Sequence, residues 1–149
     1  LLNYFFMKLE ALKEYMYIVL GAIYDTHKEL GPGLNEYVYQ MGLEYEFKQQ
    51  DIFYEREKEF HPLYRGVKLD ATYRLDFVCY CSIIVERKAV KRIVPEHRAQ
   101  LFNYMRLTKM RAGILVNFSP RYIEVERYFY NPETAEMLTF DGRTFVLEE

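Results

Sequence analysis

Apolar residues recur every three or four positions through the first third of the chain, which is the spacing of helices that face a core. From about Lys8 to Leu30 this pattern predicts one long helix. Gly31 and Pro32 should end it, because glycine allows a left-handed turn and proline lacks an N–H. A second helix is predicted from Leu34 or Asn35 to Gln50. Its core-facing residues are expected to be Leu34, Val38, Met41 and Tyr45.

The middle of the chain changes to patterns that are typical of strands. Residues 58–64 predict a strand at a sheet edge or a bulge, because Pro62 cannot donate a ladder hydrogen bond. Residues 73–80 and 82–90 are rich in β-branched and aromatic side chains. The turn between these two segments is so short that it favours an antiparallel hairpin.

A helix and another strand follow this hairpin. Pro95 suits the first position of a helix that extends to about Met110, and residues 112–118 are apolar enough for a buried strand. Such a unit is normally a right-handed crossover, so the strand at 112–118 should run parallel to the strand at 82–90. Further on, residues 122–130 alternate like a strand, and an Asp-Gly turn within residues 138–146 predicts a hairpin.

Together these elements predict one α/β domain over residues 1–149. Its core has the order α-α-β-β-β-α-β, spans about residues 8–118 and forms a mixed sheet of four or more strands flanked by helices. Residues 119–149 add a C-terminal β extension with strands and a hairpin. A chain of 149 residues, half of them hydrophobic, is long enough to bury one such core.

The charge distribution is uneven, although the formal net charge is only −2. Residues 61–121 carry 12 Lys/Arg and 4 Asp/Glu, while the segments on either side are acidic. A local positive field of this kind can attract nucleic acid. An ordinary solvated surface is the alternative interpretation.

Two further features indicate the compartment. Cys79 and Cys81 lie two apart on one predicted strand, where they are poorly placed to bridge each other, so we expect reduced thiols and a cytoplasmic location. No apolar run approaches the roughly 20 residues of a membrane helix. The opening LLNYFF also lacks the basic start of a signal peptide. We therefore expect no membrane partner.

Charged residues lie inside the apolar hairpin, where a core would be expected. If the turn is centred on Cys81, Asp76 faces Glu86 and Arg74 faces Lys88, and all four share one face of the sheet. Two opposed carboxylates destabilise a hairpin unless a cation lies between them. A divalent metal ion would supply that cation. An ion-pair network with Arg74 and Lys88 is the alternative, and a half-buried network of this kind adds little net stability.

The spacing of Asp76 and the segment Glu86-Arg87-Lys88 resembles the D…(D/E)xK signature of the PD-(D/E)XK nuclease superfamily. A closer resemblance is to a small family within it, the GxxExxY proteins. The residues that match the naming motif and its preceding positions are His27, Gly31, Pro32, Gly33, Glu36 and Tyr39. Other similar segments are YRGVKLDATYRLDFV, VERKAV and HRAQLFNYMRLTKMRAGILVNF. The likeness extends from about residue 21 to residue 118, and Arg87 departs from it, because the family usually has an apolar residue there.

This resemblance implies a metal-dependent nuclease that hydrolyses phosphodiesters, with DNA the expected substrate rather than RNA. Asp76, Glu86 and the main-chain carbonyl of Arg87 would bind Mg²⁺ or Mn²⁺, which prefer oxygen ligands. Glu36 would reach the metal directly or through water. Because Arg87 would act through its backbone, its side chain would matter little. Lys88 would orient the attacking water and stabilise charge on the phosphate.

The resemblance also implies roles for residues around the metal. Gln100 would support Lys88 or the substrate phosphate, and Tyr104, four residues on, would line the same helix face. Tyr39 would share a helix face with Glu36 and contact the substrate. The basic residues flanking the site, Arg98 among them, would follow the phosphate backbone or form a solvated helix face. His27 lies on the core-facing stripe of the first helix, where a hydrogen-bonded structural histidine is the commoner case.

A second class of function is also open. The chain could be a catalytically silent module of the same fold that binds nucleic acid or another protein. The small size of the domain and its slightly negative net charge motivate this alternative. In either case the edge strand and the aromatic C-terminal segment would suit a homodimer.

Overall fold

The computed structural model describes residues 2–147, with side chains described from Leu9 onward. Leu1, Glu148 and Glu149 of the predicted domain lie outside the described residues. The elements in chain order are α1 (Leu2–Leu30), α2 (Glu36–Gln49), β1 (Tyr54–Phe60), β2 (Leu63–Tyr64), β3 (Val67–Lys68), β4 (Tyr73–Cys79), β5 (Ile83–Lys88), α3 (Pro95–Thr108), β6 (Ala112–Asn117), β7 (Glu124–Asn131) and β8 (Glu136–Thr139).

Six of the strands form one mixed sheet in the order β1-β4-β5-β6-β7-β8. β5 and β6 run parallel on either side of the α3 crossover, as predicted, and the other neighbouring pairs are antiparallel. α1 and α2 pack on one face of the sheet, and α3 packs on the other. The predicted α/β fold with its mixed, helix-flanked sheet is therefore confirmed.

The first helix buries the stripe that its sequence predicts, including Met16, Val19 and Ile23. It begins at Leu2, earlier than predicted, and ends at Leu30. Gly31 ends it with a φ of 78° and an N–H bond to the carbonyl of His27, a conformation that glycine adopts without strain. In the part of the chain that the structure describes, no helix has the length and apolar character needed to cross a membrane.

The prediction of the core-facing side of α2 is wrong. The buried residues of this helix are Tyr39, Gln40, Leu43 and Phe47. Three residues of the predicted stripe are instead exposed: Leu34, Met41 and Tyr45. α2 carries apolar residues on two faces, so its internal spacing does not decide which face packs. Contacts with the sheet decide it, because Phe47 meets the ring of Phe77 edge-on at 5.2 Å.

The strand predicted at residues 58–64 is also displaced. The sheet strand is β1, four residues earlier, and Pro62 lies between it and the short hairpin of β2 and β3. β1 is an edge strand of charged residues, in which the apolar alternation is faint. The predicted C-terminal hairpin forms around Gly142, but it is limited to a single bridge between Leu138 and Thr144.

Candidate active site

The charged segment lies on the β4–β5 hairpin, whose register is the predicted one. Phe77 faces Val85, and Cys79 faces Ile83. The turn places Tyr80 and Cys81 at φ values of 53° and 56°. The N–H of Ser82 donates to the carbonyl of Cys79 at 3.1 Å, so Tyr80 and Cys81 are the central residues of a turn whose twist matches that of paired strands. Ser82 is the third residue between the last pair of the ladder, Cys79 and Ile83. The prediction of a turn centred on Cys81 is therefore confirmed.

The regular alternation of β4 side chains between the two faces of the sheet breaks at Asp76. Leu75 and Val78, three positions apart, both belong to the core on the α3 side, whereas Phe77 packs in the core beneath α1 and α2. On the neighbouring strand, Glu57 has a φ of 50° and drops out of the β1–β4 ladder at this level. The irregular backbone turns Asp76 out of the position that a flat strand would give it.

The expectation that Arg74, Asp76, Glu86 and Lys88 form one regular face is corrected by this irregularity. The guanidinium of Arg74 lies 3.4 Å from Glu59 in an exposed ion pair on the β1 side. Lys88 instead donates to α3. The other three residues remain near one another, but not in a flat cross-strand array.

Where the two strands part, the carboxylates take the place of ladder hydrogen bonds. Glu86 Oε1 accepts from the main-chain N–H of Asp76 at 3.2 Å, and Asp76 Oδ2 accepts from the N–H of Arg87 at 2.9 Å. The second oxygen of each group, Asp76 Oδ1 and Glu86 Oε2, accepts no hydrogen bond from the described residues. Each carboxylate thus keeps one oxygen for a further ligand.

Burial strongly affects the ionisation of the carboxyl groups at this site. Glu86 is 4% exposed, and burial, followed by the charge of Asp76, raises the pKa of Glu86 well above its ordinary value. The charges of Lys88 and Arg87 oppose this rise. Burial, followed by the charges of Glu86 and Asp76, also raises the pKa of Tyr104. Both carboxylates therefore act on one small region between β5 and α3.

These donors fit a hard divalent cation. Two carboxylate oxygens are available, and the buried negative charge of Glu86 lacks a direct ion-pair partner among the described residues. Mg²⁺ is commonly held by one or two carboxylates together with water. No group of three or more His, Cys, Asp or Glu residues between residues 2 and 147 could hold a metal. Glu36 therefore does not group with Asp76 and Glu86 as the structure stands.

A chain of polar contacts links Lys88 to α3. Its ammonium group donates to Gln100 Oε1 at 2.9 Å, and Gln100 Nε2 donates to the hydroxyl of Tyr104 at 3.2 Å. The Tyr104 ring in turn contacts Tyr73 of β4, with ring centroids 5.8 Å apart. Gln100 and Tyr104 are one helical turn apart, so α3 presents both side chains to the site.

The side chain of Arg87 reaches the opposite side of the site. Its Nη1 lies 2.9 Å from Asp76 Oδ2 and 3.9 Å from Glu36 Oε1, and its Nη2 donates to Gln40 Oε1 at 2.6 Å. The expectation that this side chain matters little is therefore wrong. Its position follows from strand alternation, because Arg87 and Val85 point toward α2 while Glu86 and Lys88 point toward α3.

Tyr39 was expected to contact substrate, but it lies fully buried. Its hydroxyl donates to the carbonyl of Gly31 at 2.6 Å and accepts from the N–H of Leu34 at 3.1 Å. Its ring stacks on Phe118 with centroids 4.8 Å apart. The motif tyrosine thus holds the loop before α2 and does not face a substrate. Glu36, three residues earlier, lies half-exposed near Arg87.

Arg98 was also expected to contact substrate, but its charge is already paired. Its Nε and Nη2 donate to the two oxygens of Glu126 at 2.6 and 2.7 Å. Glu126 also accepts from the hydroxyl of Tyr128. A two-pronged contact of this kind fixes the guanidinium against β7, so the observed role of Arg98 is structural and its contact with substrate stays a prediction.

His27 has the structural role that its helix position suggests. Its Nε2 lies 3.0 Å from the carbonyl oxygen of Pro120, and its ring lies over Phe118. These contacts tie the end of α1 to the loop after β6.

Two residues at the site were missed from the sequence. Gln40 is 1% exposed and binds Arg87, and Tyr73 contacts Tyr104. Gln40 could have been found, because it lies four residues after Glu36 and so on the same helix face. Tyr73 carried no such signal, because tyrosines are numerous in this chain.

Comparison with known proteins gives one family match. The family model described as PD-(D/E)XK nuclease superfamily matches residues 13–128. Among solved structures, the crystal structure of SSO0001 is 27% identical with a TM-score of 0.48, and the match covers 60% of this chain and 47% of that one. The chain therefore spans about half the length of that protein. None of the curated proteins matches.

Proposed function

Since this chain belongs to the PD-(D/E)XK nuclease superfamily, we propose that it is a metal-dependent nuclease that hydrolyses phosphodiester bonds. One observation carries the proposal. Asp76 and Glu86 hold their carboxylates at the point where β4 and β5 part, each with an oxygen left over, and Lys88 follows on the same strand. This arrangement combines oxygen donors for a hard cation with a neighbouring ammonium group.

The residues of the chain have distinct tasks in this proposal. Asp76 and Glu86, with the main-chain carbonyl of Arg87, would hold Mg²⁺ or Mn²⁺, and Glu36 would contact it through water. A bound ion of this kind acidifies a coordinated water and offsets negative charge on phosphate. Lys88, fixed by its 2.9 Å contact with Gln100, donates to the attacking water or to a phosphate oxygen. The Gln100–Tyr104 contact keeps Gln100 oriented toward Lys88.

We further propose membership of the GxxExxY family, and three features of its motif support this. Gly33 has a φ of 79° and donates its N–H to the carbonyl of Ser119. Glu36 starts α2 beside the site, and Tyr39 closes the loop. These three positions therefore have separate physical reasons for their residue types.

The remaining details of the proposal are the substrate and its setting. DNA is the proposed nucleic acid, because the family resemblance points to it and residues 61–121 carry a net positive charge. A cytoplasmic location is consistent with two free thiols at Cys79 and Cys81. A homodimer through the C-terminal segment is a further proposal, and light scattering would test it.

Cleavage of labelled DNA with Mg²⁺ or Mn²⁺ tests the proposed activity. Wild type should cut, whereas Asp76→Asn and Lys88→Met should lose nearly all activity and keep the fold by circular dichroism. Lys48→Met and Asp51→Asn are matched controls, because both residues are exposed and neither is a hydrogen-bond or ion-pair partner of Asp76, Glu86 or Lys88. If Asp76→Asn cuts as fast as wild type, the activity does not come from this site and the proposal fails.

A binding module without catalysis is the second candidate, and the Arg87–Asp76 contact favours it, because a cation already neutralises one proposed metal ligand. Calorimetric titration with Mn²⁺ separates the two candidates. If wild type releases or absorbs heat on binding Mn²⁺ and Asp76→Asn does not, the result supports the nuclease. If no Mn²⁺ binding depends on Asp76, even with nucleic acid present, the result supports the silent module.

A further inference from the structure

The guanidinium of Arg87 is an internal positive charge at the proposed metal site. Its side chain is 12% exposed, and its Nη1 lies 2.9 Å from Asp76 Oδ2. Arginine stays protonated under all ordinary conditions, so this charge is permanent. The same Asp76 oxygen also accepts from the main-chain N–H of Arg87. One residue therefore binds Asp76 twice, with its backbone and with its side chain.

The guanidinium is held in place from α2 as well. Gln40 Oε1 accepts from Nη2 at 2.6 Å, and Gln40 is 1% exposed. The amide of Gln40 extends toward Glu57 at 3.5 Å. Nε of Arg87 is buried and has no partner among the described residues. A side chain enclosed in this way cannot leave Asp76 without abandoning the Gln40 contact.

The cationic groups at the site offset much of the acidic charge before any metal binds. Asp76, Glu86 and Glu36 bring three carboxyl groups to this region, and Arg87 and Lys88 bring two cationic groups. A divalent cation entering this site would meet a fixed positive charge beside one of its ligands, and the repulsion is strong where water is excluded. The phosphate of a bound nucleic acid would add negative charge near Arg87 and so reduce this repulsion.

From this geometry we propose that Arg87 weakens binding of a free divalent metal ion, so that metal and nucleic acid bind cooperatively. The inference rests on the proposed function, because it concerns the same metal site. It assigns a role to a residue at which this chain departs from the expected apolar side chain. By thermodynamic reciprocity, the metal must tighten nucleic acid binding by the same factor by which nucleic acid tightens metal binding.

Titration calorimetry with Mn²⁺ tests the role of the charge. Arg87→Met should bind Mn²⁺ about tenfold tighter than wild type, whereas Arg87→Lys, which keeps the charge, should remain close to wild type. Arg87→Gln removes the charge but keeps a donor for Asp76, so it should also bind more tightly. If Arg87→Met does not fold, Arg87→Gln alone serves as the neutral variant.

The same titration with a nuclease-resistant phosphorothioate oligonucleotide measures cooperativity. The oligonucleotide should tighten Mn²⁺ binding to wild type about tenfold, and this factor should shrink toward one in Arg87→Gln. Equal or weaker Mn²⁺ binding by both neutral variants would overturn the inference and leave Arg87 as a residue that positions Asp76. If Asp76→Asn binds Mn²⁺ as well as wild type does, with and without the oligonucleotide, the proposed metal site fails instead.

Discussion

Gly113 of β6 lies directly against two side chains of α3, Met105 and Leu101, and Gly113→Ala should loosen this contact. A Cβ at this position would lie 2.7 Å from Met105 Sδ and 3.0 Å from a methyl group of Leu101. Ordinary contacts begin near 3.4 Å, so the helix residues would have to move by several tenths of an ångström. Both are fully buried, and neither can swing into solvent.

The magnitude follows from two opposing terms. Overpacking a core by one methyl group costs about 1–3 kcal/mol, while replacing a strand glycine with alanine gains about 0.5–1 kcal/mol from the backbone. We expect Gly113→Ala to lower the free energy of unfolding by about 1–2 kcal/mol, measured by urea unfolding. α3 also carries Gln100, next to Leu101, so the contact with Lys88 should weaken as well.

Gly21→Ala in α1 is the matched control. Nothing lies within 4 Å of a Cβ built at Gly21, and alanine is better than glycine within a helix by about 1 kcal/mol. The same substitution should therefore stabilise the protein at one glycine and destabilise it at the other. If Gly113→Ala unfolds at the urea concentration of wild type or higher, the close packing of α3 on β6 is not as described.

Three further predictions concern buried polar groups. Tyr39→Phe should lower the free energy of unfolding in urea by about 1–3 kcal/mol, because the Gly31 carbonyl and the Leu34 N–H lose their partner. If this variant binds DNA more weakly but unfolds like wild type, Tyr39 contacts the substrate after all. Glu86→Gln should raise the melting temperature of the metal-free protein at neutral pH. Burial and the charge of Asp76 raise the pKa of Glu86, so the protein loses stability as the pH rises from the unfolded pKa of this group through its folded pKa. A higher melting temperature of Glu86→Gln that persists in acid would contradict this. Glu126→Gln should show the reverse profile. Burial raises the pKa of Glu126, but hydrogen bonds from Arg98 and Tyr128 outweigh burial and lower it. Its stabilising effect is therefore present above the unfolded pKa and lost as the pH falls through the folded one, and melting curves across this range test it.

Features that depend on neighbours in sequence could be predicted. The buried stripe of α1, the short turn centred on Cys81 and the register of the hairpin all follow from local spacing. The pair of Asp76 and Glu86 was found in this way, because the register brings two strands together near their turn. The order of elements then fixed which strands flank the α3 crossover.

Features that depend on distant partners could not be predicted. Nothing local to α2 distinguishes the face of Leu43 from that of Met41, and only the sheet makes the choice. Arg98 looked available because its partner Glu126 is 28 residues away, on a strand whose neighbour was unknown. The position of Arg87 against Gln40, 47 residues away, likewise required the packing of α2 on β5.

The central place of β5 in the sheet determines how the proposed site would respond to thermal fluctuation. β5 pairs with β6 along its whole length and with β4 from Ile83 to Val85, whereas β1 and β8 each have a single neighbour in the sheet. Amide hydrogens of edge strands exchange with solvent through small local openings, while those of central strands exchange only when much of the fold opens. Fraying at either end of the sheet therefore leaves the strand that carries Glu86 and Lys88 intact, and its amides should be among the last to exchange in deuterated water.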